Sequence, residues 1–199
     1  MIRPLASLLA TFAVVAAHAV TVGQAAPDFS LTDVHGKAVK LSDFKGKTVV
    51  LEWVNPGCPF VQKHYTTSNM QTLQKESTAK GVVWLSVNST EKGHQDYLAP
   101  ASLDAKMNGE WKGASSYLLM DESGKVGQAY TAKTTPHMYV IDGAGKLVYA
   151  GGIDDKRSAN PADVKTAKNF VRAALVETLA GKPVTVATAT PYGCSVKYQ

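Results

Sequence analysis

Cysteine is scarce in this chain of 199 residues, which contains only Cys58 and Cys194. Two cysteines form at most one disulfide within a chain, so a disulfide-rich scaffold and a zinc site of four cysteines are both excluded. The two also lie far apart in the sequence, so no motif with neighbouring thiols exists. Any thiol chemistry must therefore begin at a single cysteine.

Signatures of nucleic-acid binding, nucleotide binding and serine hydrolysis are also missing. The formal net charge is +5, but the lysines are scattered and aromatic residues do not interleave with them, so no nucleic-acid partner is expected. No glycine-rich phosphate loop follows a strand pattern, and no arrangement of serine, histidine and acid is legible. We therefore expect none of these three classes of function.

Long apolar runs are missing except near the N-terminus, where the sequence predicts a signal peptide over residues 1–19. Arg3 supplies a positive start, the apolar stretch from Leu5 to Ala16 follows, and small residues precede Val20. This stretch is shorter than the roughly 20 residues of a membrane span. We expect a periplasmic or secreted protein with no stable membrane span after cleavage, and an uncleaved anchor is the alternative.

Residues 20–199 alternate strand and helix patterns, which predicts one α/β domain whose last part, 181–199, is an extended tail. The strand pattern predicts an N-terminal hairpin over Phe29–Leu41 and further strands over Thr48–Val54, Val82–Val87, Tyr117–Met120, Met138–Asp142 and Lys146–Ala150. The helix pattern predicts one helix from Pro59 to about Ala79, a short one over Lys125–Ala132 and a final one ending before Gly181.

Cys58 is the candidate nucleophile. The run Thr48–Val54 reads as a strand buried on both faces, residues 55–57 (AsnProGly) break it, and Pro59 suits the first position of a helix. A cysteine at a helix N-terminus lies beside unpaired backbone N–H groups, which favour thiolate over thiol. The alternative is a small buried side chain without chemistry.

The chain resembles the thioredoxin-like superfamily, and more closely its redoxin branch, the alkyl hydroperoxide reductase and thiol-specific antioxidant (AhpC/TSA) group. The resemblance is carried by residues 26–41 (APDFSLTDVHGKAVKL), 58–61 (CPFV) and 134–142 (TTPHMYVID). Thr135 and Pro136 match the family's cis-proline loop beside the active site. The resemblance implies a thioredoxin-like fold, with a central mixed β-sheet flanked by helices, an N-terminal β-hairpin and an extended C-terminal tail.

The resemblance also implies an activity and a set of site residues. A redoxin would use Cys58 to attack a disulfide-containing protein or a peroxide, with an unidentified electron donor and with no cofactor and no metal. The residues expected to contact substrate are Asn55, Pro59, Thr135, Pro136 and His137.

The chain departs from both active-site patterns of this superfamily. Val61 stands where thioredoxin-type CysXXCys places its second thiol, which releases the mixed disulfide. Peroxiredoxins place a threonine three residues before their reactive cysteine and a proline seven before it, and here Asn55 and Leu51 occupy those positions. The substrate, disulfide or peroxide, stays open.

Glu52 is a carboxylate within an apolar strand, six residues before Cys58, the spacing of the buried acid that serves as proton acceptor in thioredoxins. Burial would raise its pKa and favour a role in proton transfer. The alternative is that strand alternation turns Glu52 toward a loop or solvent.

Cys194 lies in the C-terminal tail. Thirteen residues from Gly181 reach about 43 Å when extended, which is more than a domain radius. The tail can therefore return to Cys58, and we hypothesise that Cys194 resolves oxidised Cys58 through a disulfide, with Tyr192 among the residues that anchor the tail. A permanent structural disulfide and two unpaired thiols are the alternatives.

Two different classes of function remain open beside the enzyme. Cys58 with His64 and His137 has the ligand types of a copper-handling protein, although His64 also fits a solvated surface position. His137, after Pro136, could instead form a hydrogen bond or raise the positive potential near Cys58. A redox-inactive binding or assembly module that retains the fold is the other alternative.

Overall fold

The computed structural model describes residues 20–198, so the predicted signal peptide lies outside the described residues. Seven strands form a mixed sheet, and two short ones form a separate pair. The strands are β1 Ser30–Asp33, β2 Ala38–Lys40, β3 Val49–Trp53, β4 Val83–Asn88, β5 Tyr117–Met120, β6 Thr134–Thr135, β7 His137–Ile141, β8 Leu147–Gly151 and β9 Cys194–Ser195.

The large sheet has the strand order β2-β1-β5-β4-β3-β7-β8. Strand β3 runs parallel to β4 and antiparallel to β7, and β4 runs parallel to β5. All residues of β3, β4 and β7 are buried, as their continuous apolar sequences require of strands covered on both faces. The predicted mixed sheet and N-terminal hairpin, β1 with β2, are confirmed.

The helices are α1 Pro59–Thr66, α2 Asn69–Thr78, α3 Pro100–Asp104, α4 Lys125–Ala129 and α5 Phe170–Leu179. The prediction of one helix from Pro59 to Ala79 was wrong, because the chain breaks at Thr67 and Ser68. Ser68 has a φ of 59°, a left-handed conformation that an α-helix does not contain. Within residues 20–198, no helix has the length and apolarity that a membrane crossing needs.

Two hydrophobic clusters cover the two faces of the sheet. Val50 and Trp84 belong to the cluster that includes side chains of α1, α2 and α5, whereas the next residues along, Leu51 and Leu85, belong to the other. This follows from the alternation of side chains along a strand. Cys58 belongs to the first cluster, so the candidate site lies on the face covered by α1, α2 and α5.

The C-terminal tail is extended, as predicted, and returns across the domain. Its backbone first runs beside β8, where Ala150 N donates to Ala187 O at 3.1 Å. It then forms β9, which pairs antiparallel with β6 and places Cys194 opposite Thr135. The last described part of the tail is held by Val196 N, which donates to Lys133 O at 3.1 Å.

Candidate active site

Cys58 is the N-cap residue of α1, as the sequence predicts. Its backbone O accepts hydrogen bonds from Val61 N and Gln62 N at 3.0 Å. Asn55 shapes the turn, since its Oδ1 accepts from Gly57 N at 2.7 Å. The geometry thus gives Asn55 a turn-forming position, and its predicted contact with substrate stays a prediction.

The Cys58 thiol faces the loop before β7. The bond between Thr135 and Pro136 is cis, as the family resemblance implied. Cys58 Sγ lies 3.0 Å from Thr135 O and donates to it. The side chain of Cys58 is only 2% exposed, so what covers it decides whether it can react.

Cys194 is one of the residues that cover Cys58. Both cysteines are free thiols. Cys194 lies opposite Thr135 in the pairing of β6 with β9, and Thr135 O lies 3.0 Å from Cys58 Sγ, so the two cysteines are close together. Burial, together with the nearby Cys58, raises the pKa of Cys194 to about 11. The structure therefore brings together two thiols that are far apart in sequence, and the predicted return of the tail to Cys58 is confirmed.

Gly193 allows the tail to approach the cis-proline loop this closely. It has a φ of 136°, and a Cβ built on it would lie 2.0 Å from Thr135 O, a distance that no side chain tolerates. Any other residue at position 193 would push the tail, and Cys194 with it, away from Thr135.

Glu52 lies on the same face of the sheet in a fully buried hydrogen-bond network, so the alternative that placed it toward solvent was wrong. Its Oε1 accepts from the Tyr65 hydroxyl at 2.9 Å, and its Oε2 accepts from Trp84 Nε1 at 2.7 Å. Ser86 Oγ and Gln74 Nε2 also donate to Oε2. Burial raises the pKa of Glu52, and these four hydrogen bonds oppose the rise.

The structure bears on the sequence-based interpretations of the two histidines near the site. His64 is fully buried rather than solvated. His137 accepts a hydrogen bond from Lys133 N at its Nδ1, and burial lowers its pKa to about 4. The lowered pKa favours a neutral ring, so of the two roles considered for His137 the structure favours hydrogen bonding over added positive potential.

No cluster of three or more histidine, cysteine or acidic side chains suited to a metal occurs within residues 20–198. In particular, Cys58, His64 and His137 do not come together as one. His64 Nδ1 and Nε2 instead lie within hydrogen-bond distance of Asn69 and Tyr192.

Sequence reasoning missed Lys63 and Asp154. Lys63 is 1% exposed and Asp154 is 2% exposed, and Lys63 Nζ lies 3.9 Å from Asp154 Oδ2. Asp154 follows β8 in a run that reads as a polar turn, and Lys63 reads as a helix surface residue. Only the location of the tail, which buries both, distinguishes them from ordinary surface charges.

The burial of His64 gives the protein a predictable response to acid. Burial, with the nearby charge of Lys63, lowers its pKa from 6.5 to about 3. Below pH 6.5 the unfolded chain binds a proton at His64 that the folded chain does not, so acidification lowers the free energy of unfolding. Between pH 7 and pH 5 this side chain contributes a loss of about 2 kcal/mol.

We expect His64→Gln to remove this contribution. Urea unfolding of both chains at pH 7 and pH 5 measures it, and the loss on acidification is expected to be about 2 kcal/mol smaller in the variant. Equal losses in the two chains would contradict a neutral buried His64.

Comparison with known proteins places the chain in a family. The model of the AhpC/TSA family matches residues 22–150. The chain is 30% identical over 131 residues to the thiol-disulfide oxidoreductase ResA of Geobacillus thermodenitrificans, a match that covers 65% of this chain and 68% of ResA.

Solved structures agree on the fold. An uncharacterized conserved protein of Geobacillus kaustophilus superposes with a TM-score of 0.79 at 32% identity, over 90% of this chain and 93% of the other. The thioredoxin domain of a thiol-disulfide oxidoreductase from Bacteroides vulgatus superposes with a TM-score of 0.51 at 26% identity, over 66% of this chain and 89% of that domain. The chain has a thioredoxin-like fold and belongs to the AhpC/TSA family.

Proposed function

We propose that this protein is a thiol-disulfide oxidoreductase in which Cys58 is the nucleophile and Cys194 is the resolving cysteine. One observation carries the proposal: the tail places Cys194 opposite Thr135, whose carbonyl oxygen lies 3.0 Å from Cys58 Sγ, so the second thiol of the chain lies beside the first. Because Val61 occupies the position of the second cysteine in α1, the resolving thiol comes instead from Cys194 in the C-terminal tail.

The reaction balances with these two thiols alone. The Cys58 sulfur bonds to one sulfur of a substrate disulfide, whose S–S bond breaks, and the leaving thiolate takes up a proton. The Cys194 sulfur then bonds to the Cys58 sulfur and expels the second substrate thiol. The two cysteines lose two electrons and the substrate gains two, so a dithiol electron donor must reduce the chain again.

The pKa of Cys194 supports this order of events. Burial is the main cause that raises the pKa of Cys194 to about 11, and its interaction with Cys58 adds to the rise. Cys194 is therefore protonated and a weak nucleophile at neutral pH, which leaves Cys58 as the thiol that attacks substrate first.

Other residues have supporting roles in the proposal. Thr135 accepts from the Cys58 thiol, Pro136 shapes the groove beside it, and Glu52 takes part in proton transfer. Export, as predicted from residues 1–19, would place the protein where disulfides persist.

Peroxide reduction is the second candidate, because the AhpC/TSA family is defined in part by peroxide chemistry. Asn55 occupies the position of the peroxiredoxin threonine, and its Oδ1 is engaged by Gly57 N. The site thus lacks the hydroxyl of that pattern, which favours disulfide exchange.

Trapping the mixed disulfide tests the proposal. We expect Cys194→Ser, treated with oxidised glutathione, to retain one glutathione on Cys58, because nothing expels it. The unaltered chain should release the glutathione and lose two hydrogens. Intact mass spectrometry distinguishes the products, and a glutathione adduct that persists equally in both chains would contradict a resolving role for Cys194.

A further inference from the structure

Four buried polar side chains form a cluster that the proposed thiol exchange does not use. Lys63 and His64 come from α1, Asp154 from the segment after β8 and Tyr192 from the tail, and none is more than 7% exposed. We call these four residues the tail-anchor cluster. Burying charges is unfavourable unless they are paired and hydrogen-bonded, so the cluster is satisfied only when all four groups are in place.

A chain of hydrogen bonds runs through the cluster. The Tyr192 hydroxyl donates to Asp154 Oδ1 at 2.6 Å, and His64 Nε2 lies 3.3 Å from the same hydroxyl. Asn69 Nδ2 lies 2.8 Å from His64 Nδ1. A neutral His64 with its proton on Nε2 lets each group donate to the next, from Asn69 through to Asp154. The Tyr192 hydroxyl thus accepts one hydrogen bond and donates another.

Lys63 holds Tyr192 by its ring and balances the charge of Asp154. Its Nζ lies 3.9 Å from Asp154 Oδ2, donates to Lys156 O at 2.8 Å and lies 5.4 Å from the centre of the Tyr192 ring. A cation near an aromatic face is attracted to it. Tyr192 is therefore held at both its hydroxyl and its ring.

Tyr192 connects the cluster directly to the two thiols. It lies two residues before Cys194, and its ring packs edge-on against Phe60, which lies two residues after Cys58, with 6.0 Å between ring centres. Gly193 lies between Tyr192 and Cys194 with its backbone against Thr135. Movement of Tyr192 therefore moves Cys194 relative to Cys58.

We infer that the tail-anchor cluster holds the tail closed over Cys58 and so sets the rates of both steps of thiol exchange. The inference rests on the proposed function and deepens it. Because Cys58 is 2% exposed under the closed tail, a substrate disulfide reaches it only when the tail opens. The same tail must close again for Cys194 to attack. Tyr192 is a positioning residue in this account.

Tyr192→Phe is expected to change the two steps in opposite directions. The variant keeps the ring but loses a hydrogen bond to a carboxylate, which weakens the closed state by at least about tenfold. Capture of glutathione by Cys58, measured with oxidised glutathione in the Cys194→Ser background, should become faster. Expulsion of glutathione by Cys194 should become slower, so in the chain with both cysteines the mixed disulfide accumulates transiently.

Acid-quenched intact mass spectrometry follows both steps in the full chain. Tyr130→Phe is the matched control, because it also loses a buried tyrosine hydrogen bond, to Pro27 O, in the cluster on the other face of the sheet. Faster capture with slower expulsion in Tyr192→Phe alone supports the inference. Rates equal to those of the control, or both steps slowed, would overturn it.

A second measurement separates failure of the inference from failure of the proposed function. If the unaltered chain never expels glutathione, the proposed function fails, but the closed tail is still measurable. In the Cys194→Ser background, alkylation of Cys58, which is 2% exposed, by iodoacetamide reports tail opening without any expulsion step. A rate at least about tenfold higher with Tyr192→Phe than with Tyr130→Phe supports the anchor, and equal rates overturn it.

Discussion

Replacing Cys58 with serine is expected to abolish thiol exchange, with a rate loss on the order of a thousandfold or more, as is seen when an enzyme loses its nucleophile. A serine hydroxyl does not attack a disulfide, and burial keeps the pKa of Cys194 high, so the remaining thiol is a weak nucleophile at neutral pH. The measurement is the rate at which the chain consumes oxidised glutathione. Without an added electron donor, the unaltered chain and Cys194→Ser should each consume one equivalent and stop, whereas Cys58→Ser should consume none.

The fold itself should be unaffected by Cys58→Ser. Serine is close to cysteine in size and can donate to Thr135 O as the Cys58 thiol does. We expect the free energy of unfolding to change by no more than about 1 kcal/mol. Retained exchange activity in a folded Cys58→Ser chain would assign the nucleophile to another group.

Glu52→Ala is expected to lower the free energy of unfolding by about 3–5 kcal/mol. The alanine removes the acceptor of four buried donors, from Tyr65, Gln74, Trp84 and Ser86. These donors are then left in a cavity where hydrogen bonds are hard to replace. Urea unfolding measures the loss, and a change below about 1 kcal/mol would contradict the network as a main stabiliser of this face.

Glu52→Gln separates this structural contribution from proton transfer. Glutamine keeps the volume and one acceptor oxygen but does not titrate, so its effect on stability should be smaller than that of alanine. If Glu52 takes part in proton transfer, the pH profile of Cys58 alkylation should change in Glu52→Gln. An unchanged profile would remove that role and leave Glu52 as a structural residue.

Most of the fold could be predicted from the sequence because its strands are short, apolar and separated by strong turn signals. The return of the C-terminal tail to Cys58 was also predicted, because the tail is long enough to reach across the domain. The break between α1 and α2 was not predicted, because residues 67–68 include no glycine or proline, and a left-handed φ is uncommon at a serine.

The residues of the candidate site were also predictable only in part. Cys58 and the cis-proline loop have local signals, a helix start and a Thr-Pro pair, that sequence reasoning detects. Asp154 and Lys63 have none, because each is a common surface residue whose burial depends on Tyr192, which lies 38 residues from Asp154 and more than a hundred from Lys63 in the sequence. His64 was interpreted as solvated for the same reason.

The proposed function requires that the two thiols of one chain join when they are oxidised. Treatment of dilute reduced protein with one equivalent of diamide, followed by trypsin without reductant and mass spectrometry, decides this. The account predicts a single linked pair of peptides, residues 48–63 with residues 173–197, in a chain that stays monomeric on a non-reducing gel. Recovery of these peptides unlinked, with Cys58 oxidised alone or bonded to another chain, would contradict it.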